Sequence, residues 1–493
     1  MSENTVRFVR SAGEKLLNEL YGELCLNLTG RKTETRIEDI YRSRRELLER
    51  EIFLSFREPS RDGEEEKARY GLISSFLAGA FLGGKSSALT DRILALEAGE
   101  EFRAGGKRMT IRTVRAEALS EPKREKRQEI TNRSRGILTG LNALYRQMLD
   151  NHNECSEALG FRNYGELIDK TSGLGITRLK EEARTFLKDT DYIAGDLLEW
   201  FLMRKLELKL KGASISDMNY LLNSAELRGF FPKVDPVSFS RVVLEGLGLT
   251  TVSGISFDTE KRIGKETDGF SIPLDPPFRS AVSMYPAGGV RDYESFLGCL
   301  GHSLCFGFAE PGDDFEFRFL REAAFTDIFS ILFGNLLYEP KWLRKYLKAE
   351  TGGDFMHFLY LRRLMSARID AARAVYAWEL FSGSDTGGLP GVFSEVMGDA
   401  AKCEADGDLY LRDFLTPICA PFRFKALLAE PGLRLFMKES FDEEWWRTGG
   451  AGEFLKSVWS EGGRITANAL TARTGSAGSG PDTLILTFEE RPR

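Results

Sequence analysis

The sequence predicts a mainly helical protein with one small β-sheet. Apolar residues recur every three or four positions over most of the 493 residues, which is the period of an amphipathic α-helix. Short apolar and β-branched runs set among glycine and proline occur together only between residues 248 and 286, where we expect strands. The composition, with 42% hydrophobic and 29% charged residues, is that of a globular protein. A chain of this length exceeds one hydrophobic core, so we expect several sub-domains.

The first half of the chain is predicted to be nearly all helix. Two helices are expected between Val6 and Phe56, separated by a break at Thr29 to Arg31. Three further helices are predicted over residues 69–98, 122–150 and 176–211, divided by polar or glycine-rich stretches.

In the second half, strands are expected first and helices follow. The strands are predicted at Thr250–Val252, Phe270–Ile272 and Ala281–Met284. Helical periodicity resumes at Asp292 and continues through 317–337, 354–382, 407–429 and 451–461. We divide the chain into an N-terminal helical lobe (1–150), a helical middle region (151–250), a main lobe (251–473), and a flexible linker with a C-terminal tail (474–493).

Charge and hydropathy exclude several classes of function. The net charge of -6 argues against a nucleic-acid partner, and the basic stretch from Lys123 to Arg135 is interrupted by acidic residues, as on a solvated helix face. Met1 to Leu16 is charged where a signal peptide would be apolar, and we expect no membrane-spanning segment. The six cysteines lack metal-site spacing, which indicates free thiols and a cytoplasmic protein.

One nucleotide-binding pattern occurs in a helical context. Residues Gly79 to Ser86 satisfy Gly-x-x-x-x-Gly-Lys-Ser, whose backbone amides and lysine hold phosphates. That chemistry requires a buried strand before the loop and a parallel sheet around it, whereas Tyr70 to Ala78 has the pattern of a helix. We therefore interpret the run as a glycine-rich turn between two helices.

The segment that begins at Asp292 has the most informative pattern. Four apolar residues, spaced four apart, form one stripe on a predicted helix: Phe296, Leu300, Leu304 and Phe308. Gly298 and His302 lie on the opposite face. A histidine one turn after a small residue is unusual on a helix whose other side already faces the core, so His302 is a candidate functional residue.

This segment resembles the zinc helix of the oligoendopeptidase F and thimet oligopeptidase family of metallopeptidases, where His-Glu-x-x-His supplies two zinc ligands and the catalytic base. On that alignment His302 is the second ligand, Gly298 stands at the first ligand position and Cys299 at the base position. Phe270–Pro273, before the helix, is similar to the family's short strands. The resemblance implies a zincin-like multi-helical fold, with a small sheet next to the zinc-helix position and a channel that binds peptides.

The resemblance also implies a third zinc ligand on a downstream helix, which residues 321–327 match. The local context, a glutamate followed by small residues, selects Glu322, whereas the family's spacing selects Asp327. We favour Glu322 because connecting loops change length more readily than a ligand changes type. Five residues rotate a helical side chain by about 140°, so both cannot serve.

These replacements imply a catalytically impaired homologue, a pseudopeptidase, that retains the peptide-binding channel. His302 and one carboxylate would make only a weak zinc site, so we expect no tightly bound cofactor. The expected partner is a peptide or an extended protein segment. The alternative is an active hydrolase with a reorganised metal or nucleophile site at Cys299, His302 and Glu322.

A later stretch resembles the part of the family that uses tyrosines to hydrogen-bond the reacting carbonyl. Tyr410 matches one of these tyrosines and is the expected substrate-binding residue, while Phe414 falls where another tyrosine is common. The other two histidines, His152 and His357, lie in helical stretches without ligand spacing, and we expect structural roles for them.

Overall fold

Helices form most of the chain, as the periodicity predicts. The structure is a computed structural model, in which we describe residues 3–57, 63–223, 225–249, 254–349, 352–383, 387–412, 414–415, 420–475 and 480–489. The predicted break near Thr29 is confirmed, because the first helix ends at Leu28 and Gly30 follows with a positive φ of 69°.

The first half contains eleven of the described helices and one hairpin. They are α1 (Glu3–Leu28), α2 (Ile37–Arg42), α3 (Arg50–Arg57), α4 (Glu64–Gly99), β1 (Phe102–Ala104), β2 (Lys107–Met109), α5 (Ile111–Ser120), α6 (Arg124–Ala158), α7 (Tyr164–Ser172), α8 (Ile176–Asp189), α9 (Asp191–Leu206), α10 (Ile215–Asn223) and α11 (Pro236–Gly246).

The second half begins with a small sheet and continues as helices. Its elements are β3 (Ile255–Asp258), β4 (Phe270–Asp275), β5 (Arg279–Ser283), α12 (Val290–Gly307), α13 (Phe315–Phe319), α14 (Ala323–Gly334), α15 (Pro340–Trp342), α16 (Gly353–Phe381), α17 (Leu389–Ala401), α18 (Ala420–Phe441), α19 (Gly449–Ser460), α20 (Ala467–Arg473) and α21 (Pro481–Glu489).

The predicted small sheet is present beside α12. β5 lies in its centre, parallel to β3 and antiparallel to β4, with Ile272 opposite Ala281. The predicted strand at Thr250–Val252 lies outside the described residues. The sequence prediction missed the β1–β2 hairpin, whose turn, Gly105 and Gly106, has positive φ at both positions, as a tight hairpin requires.

The phosphate-loop pattern lies inside one helix, so our interpretation as a turn between two helices is wrong. α4 runs without interruption from Glu64 to Gly99. The glycines serve close packing: a Cβ on Gly83 would stand 2.1 Å from the Tyr41 hydroxyl oxygen, and one on Gly84 would stand 2.6 Å from a Leu48 methyl carbon. The pattern therefore reflects helix packing, with Lys85 pointing into solvent.

Among the described residues, α4 is also the one helix with the length and composition of a membrane span, contrary to our expectation of none. Its buried positions include Ile73, Leu77 and Leu82, which belong to a core shared with α1, α2 and α3. In this fold α4 therefore packs as a core helix.

The main hydrophobic core surrounds α12, α14, α16 and α18. It extends from Ile93 of α4 to Phe488 of α21 and contains Trp342, Trp445 and Trp459, each at most 1% exposed. α21 lies in the segment predicted as a linker and tail, and it buries Leu484, Ile485 and Phe488 against α8 and α18. The predicted flexible part of that segment, 476–479, lies outside the described residues.

Candidate functional site

α12 is buried on all sides, which corrects the two-faced helix of the sequence prediction. Phe296, Leu300 and Leu304 are fully buried, as their spacing predicts. Gly298, placed by the sequence on the opposite face, is buried too, because α14 packs there. α12 therefore lies between the sheet on one side and α14 on the other.

Glycines allow the two helices to approach closely. A Cβ on Gly301 would stand 2.3 Å from the Phe329 carbonyl oxygen, and one on Gly298 would stand 3.1 Å from Ser330 Oγ. A larger residue at position 298 would first have to displace Ser330. Gly298, at the position that the resemblance gives to the first zinc ligand, has no side chain that could bind a metal. Its small size allows α14 to pack closely.

His302 is half-buried, and its ring faces the sheet. Its Nδ1 is 3.2 Å from Ser271 Oγ on β4, and the ring packs against Phe306 at 5.4 Å between centroids. Burial, with a smaller contribution from the Arg321 guanidinium, lowers the pKa of the imidazole to about 4. His302 is therefore neutral at pH 7, with one nitrogen engaged by Ser271.

Cys299 is buried at 7% exposure. Burial raises the pKa of its thiol to about 12, against a weaker opposing influence from Arg423. Since the thiolate is the form that attacks carbonyls and binds metals, Cys299 is an inert neutral thiol in this structure.

Glu322 connects three helices through its side-chain hydrogen bonds. It directly precedes α14; its Oε1 accepts from Lys425 Nζ of α18 at 2.7 Å, and its Oε2 accepts from the Ala467 backbone N–H of α20 at 2.7 Å. Both side chains of the ion pair are mostly buried, with exposed fractions of 11% and 13%. Both oxygens of the favoured third ligand are therefore engaged in structural contacts.

Asp327, the rival third ligand, lies in the second turn of α14. Burial raises the pKa of its carboxyl to about 6; Arg423 works in the opposite direction, and Asp370 adds to the increase. Within the described ranges it has no hydrogen-bond or ion-pair partner. Asp327 is thus a carboxyl that titrates near neutrality under the influence of a guanidinium.

Arg423 of α18 stands at the centre of this group, and nothing in the sequence marked it. Its Nε donates to Asp370 Oδ2 of α16 at 3.0 Å, and 40% of its side chain is exposed. Burial works to lower its pKa, but Asp370, Asp327 and Glu294 outweigh burial and raise it. A permanent cation therefore lies among the side chains of α12, α14 and α16.

Two charged side chains, Asp268 and Arg423, are partly exposed and yet strongly desolvated. Asp268, in the loop before β4, has 54% of its side chain exposed, yet burial is the largest influence on its pKa, which Arg115 and Arg291 bring well below the ordinary value. A side chain that water reaches, and that protein nevertheless largely surrounds, lines an enclosed space. We call this space the cleft. Arg423 has the same combination of exposure and desolvation.

The wall of this cleft on α12 is a fully paired carboxylate. Glu294, one turn before Gly298, accepts from Arg362 Nε at 2.7 Å and from the Tyr338 hydroxyl at 2.8 Å. These partners lower the pKa of Glu294 against the effect of burial. Its neighbours therefore use its acceptor capacity, and Glu294 is not free to act as a general base.

The residues present do not fit the zinc ion that the resemblance implies. Across the described ranges, no three His, Cys, Asp or Glu side chains are grouped so that they could hold a metal ion. His302 faces Ser271, Glu322 faces Lys425, and the charge of Arg423 acts on Cys299 and Asp327. The predicted set of His302 with Glu322 is not brought together by any contact.

Tyr410 is buried at 3% exposure and faces the N-terminal helices. Its hydroxyl accepts from Arg146 Nη2 of α6 at 2.6 Å. Tyr410 lies in a turn and not in the helix predicted over 407–429, whose described part is Ala420–Phe441. Phe414 packs against Tyr376 in an aromatic cluster. As placed here, the Tyr410 hydroxyl is engaged by Arg146.

Replacing Asp327 with asparagine is expected to stabilise the protein at alkaline pH. A carboxyl whose pKa is raised by folding contributes stability that is present below its unfolded value, near 4, and lost as pH rises through about 6. Asp327→Asn should therefore be more stable than the wild type by up to about 3 kcal/mol at pH 8, with the difference vanishing near pH 4.

Melting temperatures measured between pH 4 and pH 8 would test this expectation. Glu453→Gln, at an exposed position of α19, controls for loss of a negative charge. A stability difference for Asp327→Asn that does not change with pH would contradict the assigned environment of the carboxyl.

Comparison with known proteins gives matches in structure. No protein-family profile matches the chain, and no curated protein matches its sequence. A crystal structure assigned to oligoendopeptidase F from Bacillus anthracis str. Ames superposes with a TM-score of 0.66 at 12% identity, covering 90% of this chain and 82% of that one. A second structure assigned to oligoendopeptidase F gives 0.67 at 15% identity, with coverage of 90% and 83%.

A structure of PZ peptidase A with an inhibitor gives a TM-score of 0.65 at 14% identity, over 93% of this chain and 87% of that one. At 12–15% identity the likeness is one of fold. The predicted architecture, mainly helical with a small sheet beside the zinc-helix position, is confirmed: this chain has the fold of these peptidases.

Proposed function

We propose that the protein binds a peptide or an extended protein segment in the charged cleft and does not hydrolyse it. The proposal is supported most directly by Gly298 and Cys299, which the sequence resemblance places at the first-ligand and base positions of α12, in a chain with the fold of these peptidases. On this proposal the fold is retained and the groups that hydrolysis needs are replaced.

The chemistry of the replacements supports loss of catalysis. A general base contributes roughly 10²–10⁴-fold to such a reaction, and a metal ion supplies the activated water. With a pKa near 12, only about one Cys299 thiol in 10⁵ is ionised at pH 7. The alternative hydrolase site would need Cys299, His302 and Glu322 to act together, while Glu322 is engaged by Lys425 and Ala467.

The cleft suits a peptide better than other polymers. Its walls alternate arginine with aspartate or glutamate, as in Asp268, Arg291 and Glu294, and so present donors and acceptors to backbone amides. Such mixed charge does not form the basic field that nucleic acids require. We place this activity in the cytoplasm, without a membrane partner.

The proposal is tested by assays of metal content, cleavage and binding on one preparation. We expect the purified chain to contain no stoichiometric zinc and to leave a pool of quenched fluorescent peptides uncut, with or without added zinc. Members of a fluorescein-labelled peptide pool should nevertheless bind, as measured by fluorescence anisotropy.

Lys85→Ala provides a matched control, because Lys85 is exposed on α4 beside α6 and outside the cleft; binding should be unchanged. Stoichiometric zinc together with cleavage that a chelator abolishes would overturn the proposal and favour the hydrolase alternative.

A further inference from the structure

Arg423 of α18 is ion-paired with Asp370 of α16. Its charge also lowers the pKa of Cys299 and of Asp327, at the predicted base and ligand positions, against the larger effect of burial. A guanidinium remains protonated at every physiological pH. The cleft thus has a positive centre that belongs to the chain itself.

Most of the hydrogen-bonding capacity of Arg423 remains available to a ligand. A guanidinium has five N–H donors in a planar fork, and among the described residues only Nε of Arg423 has a hydrogen-bond partner, Asp370. The side chain is 40% exposed, whereas Asp370 is 8% exposed. The two terminal nitrogens can therefore face the cleft while Nε holds the side chain in position.

Asp370 is ion-paired with Arg423 through Nε alone, and the acids around Arg423 are shared with other arginines. Glu294 is paired with Arg362, Asp268 with Arg115 and Arg291, and Asp370 also lies 3.7 Å from Arg373. Among the described residues, the two terminal nitrogens of Arg423 have no acceptor. An anionic group is therefore the complementary ligand.

We propose that Arg423 anchors the bound peptide through a carboxylate, which the two terminal nitrogens hold as a bidentate pair. A carboxylate is planar with two acceptor oxygens and matches the guanidinium fork. The carboxylate comes either from the peptide's C-terminus or from an aspartate or glutamate side chain. The inference rests on the proposed function, since it specifies which peptides the cleft takes.

Four pools of random octapeptides, labelled with an uncharged coumarin because fluorescein itself carries a carboxylate, separate the two sources of carboxylate. Two pools include Asp and Glu and two exclude them; one of each pair has a free C-terminus and the other a C-terminal amide. We expect wild-type protein to bind at least one carboxylate-containing pool about tenfold or more tightly than the pool with neither group, because a charge-assisted pair is worth roughly that factor. The pool that retains affinity identifies the source.

Variants assign the effect to Arg423. Arg423→Gln should abolish the preference, so that pools with and without carboxylates bind this variant with similar affinity. Arg423→Lys keeps the charge without the fork and should retain part of the preference. Lys85→Ala should behave as wild type. If Arg423→Gln fails to fold, the comparison of pools on the wild type and on Arg423→Lys still tests whether the carboxylate preference depends on Arg423.

The outcomes distinguish the two proposals. If no pool binds, the proposed function itself fails. If pools bind equally with and without carboxylates, or the preference survives in Arg423→Gln, the anchor is overturned and the peptide-binding function stands. A carboxylate preference that depends on Arg423 supports both.

Discussion

Replacing Gly301 with alanine is expected to lower the free energy of unfolding by about 3 kcal/mol and the melting temperature by about 5 °C. The new Cβ would stand 2.3 Å from the Phe329 carbonyl oxygen and 2.9 Å from its carbonyl carbon, which are backbone atoms of α14. Backbone cannot rotate away, so α12 and α14 must move apart. That separation outweighs the gain of about 1 kcal/mol that alanine brings to a helix.

Gly298→Ala is the matched control one turn earlier on the same helix. Its Cβ would meet only Ser330 Oγ at 3.1 Å, a small side chain that can change rotamer. The helix preference of alanine then offsets the contact, and the melting temperature should change little. Differential scanning calorimetry of both variants gives the comparison. Equal effects of the two substitutions would show that the helices are not held at this distance by Gly301.

Glu322→Ala is expected to destabilise the protein by about 3 kcal/mol. It leaves the mostly buried Lys425 ammonium without its carboxylate partner, with only the Gly173 carbonyl as an acceptor, and it removes the acceptor of the Ala467 backbone N–H. The loss is structural, so metal content should not change. Glu461→Ala, which breaks the more exposed pair with Arg473, should cost less than about 1 kcal/mol.

A double-mutant cycle isolates the Glu322 ion pair. In Glu322→Ala with Lys425→Met the stranded charge is removed, so the double variant should melt at a higher temperature than Glu322→Ala alone. Additive losses from the two substitutions would mean that the side chains do not interact. A fall in bound zinc on Glu322→Ala would instead restore this residue as a metal ligand.

Much of the fold was predictable because it depends on local periodicity. The break after Leu28, the strands at 270–275 and 279–283 and the helix that begins near Asp292 follow from spacing and from glycine. The errors have local causes too. At Gly83 and Gly84 the sequence indicated a turn, because glycine that serves helix packing looks the same as glycine that ends a helix.

The site was predictable only in part. The residue types Gly298, Cys299 and His302 can be read from the sequence. From them the resemblance predicts that the first zinc ligand and the catalytic base are replaced. The sequence does not show that His302 faces Ser271, 31 positions earlier, or that Glu322 meets Lys425, 103 positions later. Arg423 carried no signal, since an arginine at the start of a helix is ordinary until its neighbours are known.

Most helices, and the start of α12 near Asp292, could be predicted from residue type and from a period of 3.6, and so could the absence of side-chain ligands at Gly298. Which charged side chains become neighbours depends on how the helices pack. The charge of Arg423 acts on Cys299, Asp327 and Asp370 because α12, α14, α16 and α18 pack around one core. Burial then sets whether each group is ionised, and that depends on neighbours that are distant in the chain.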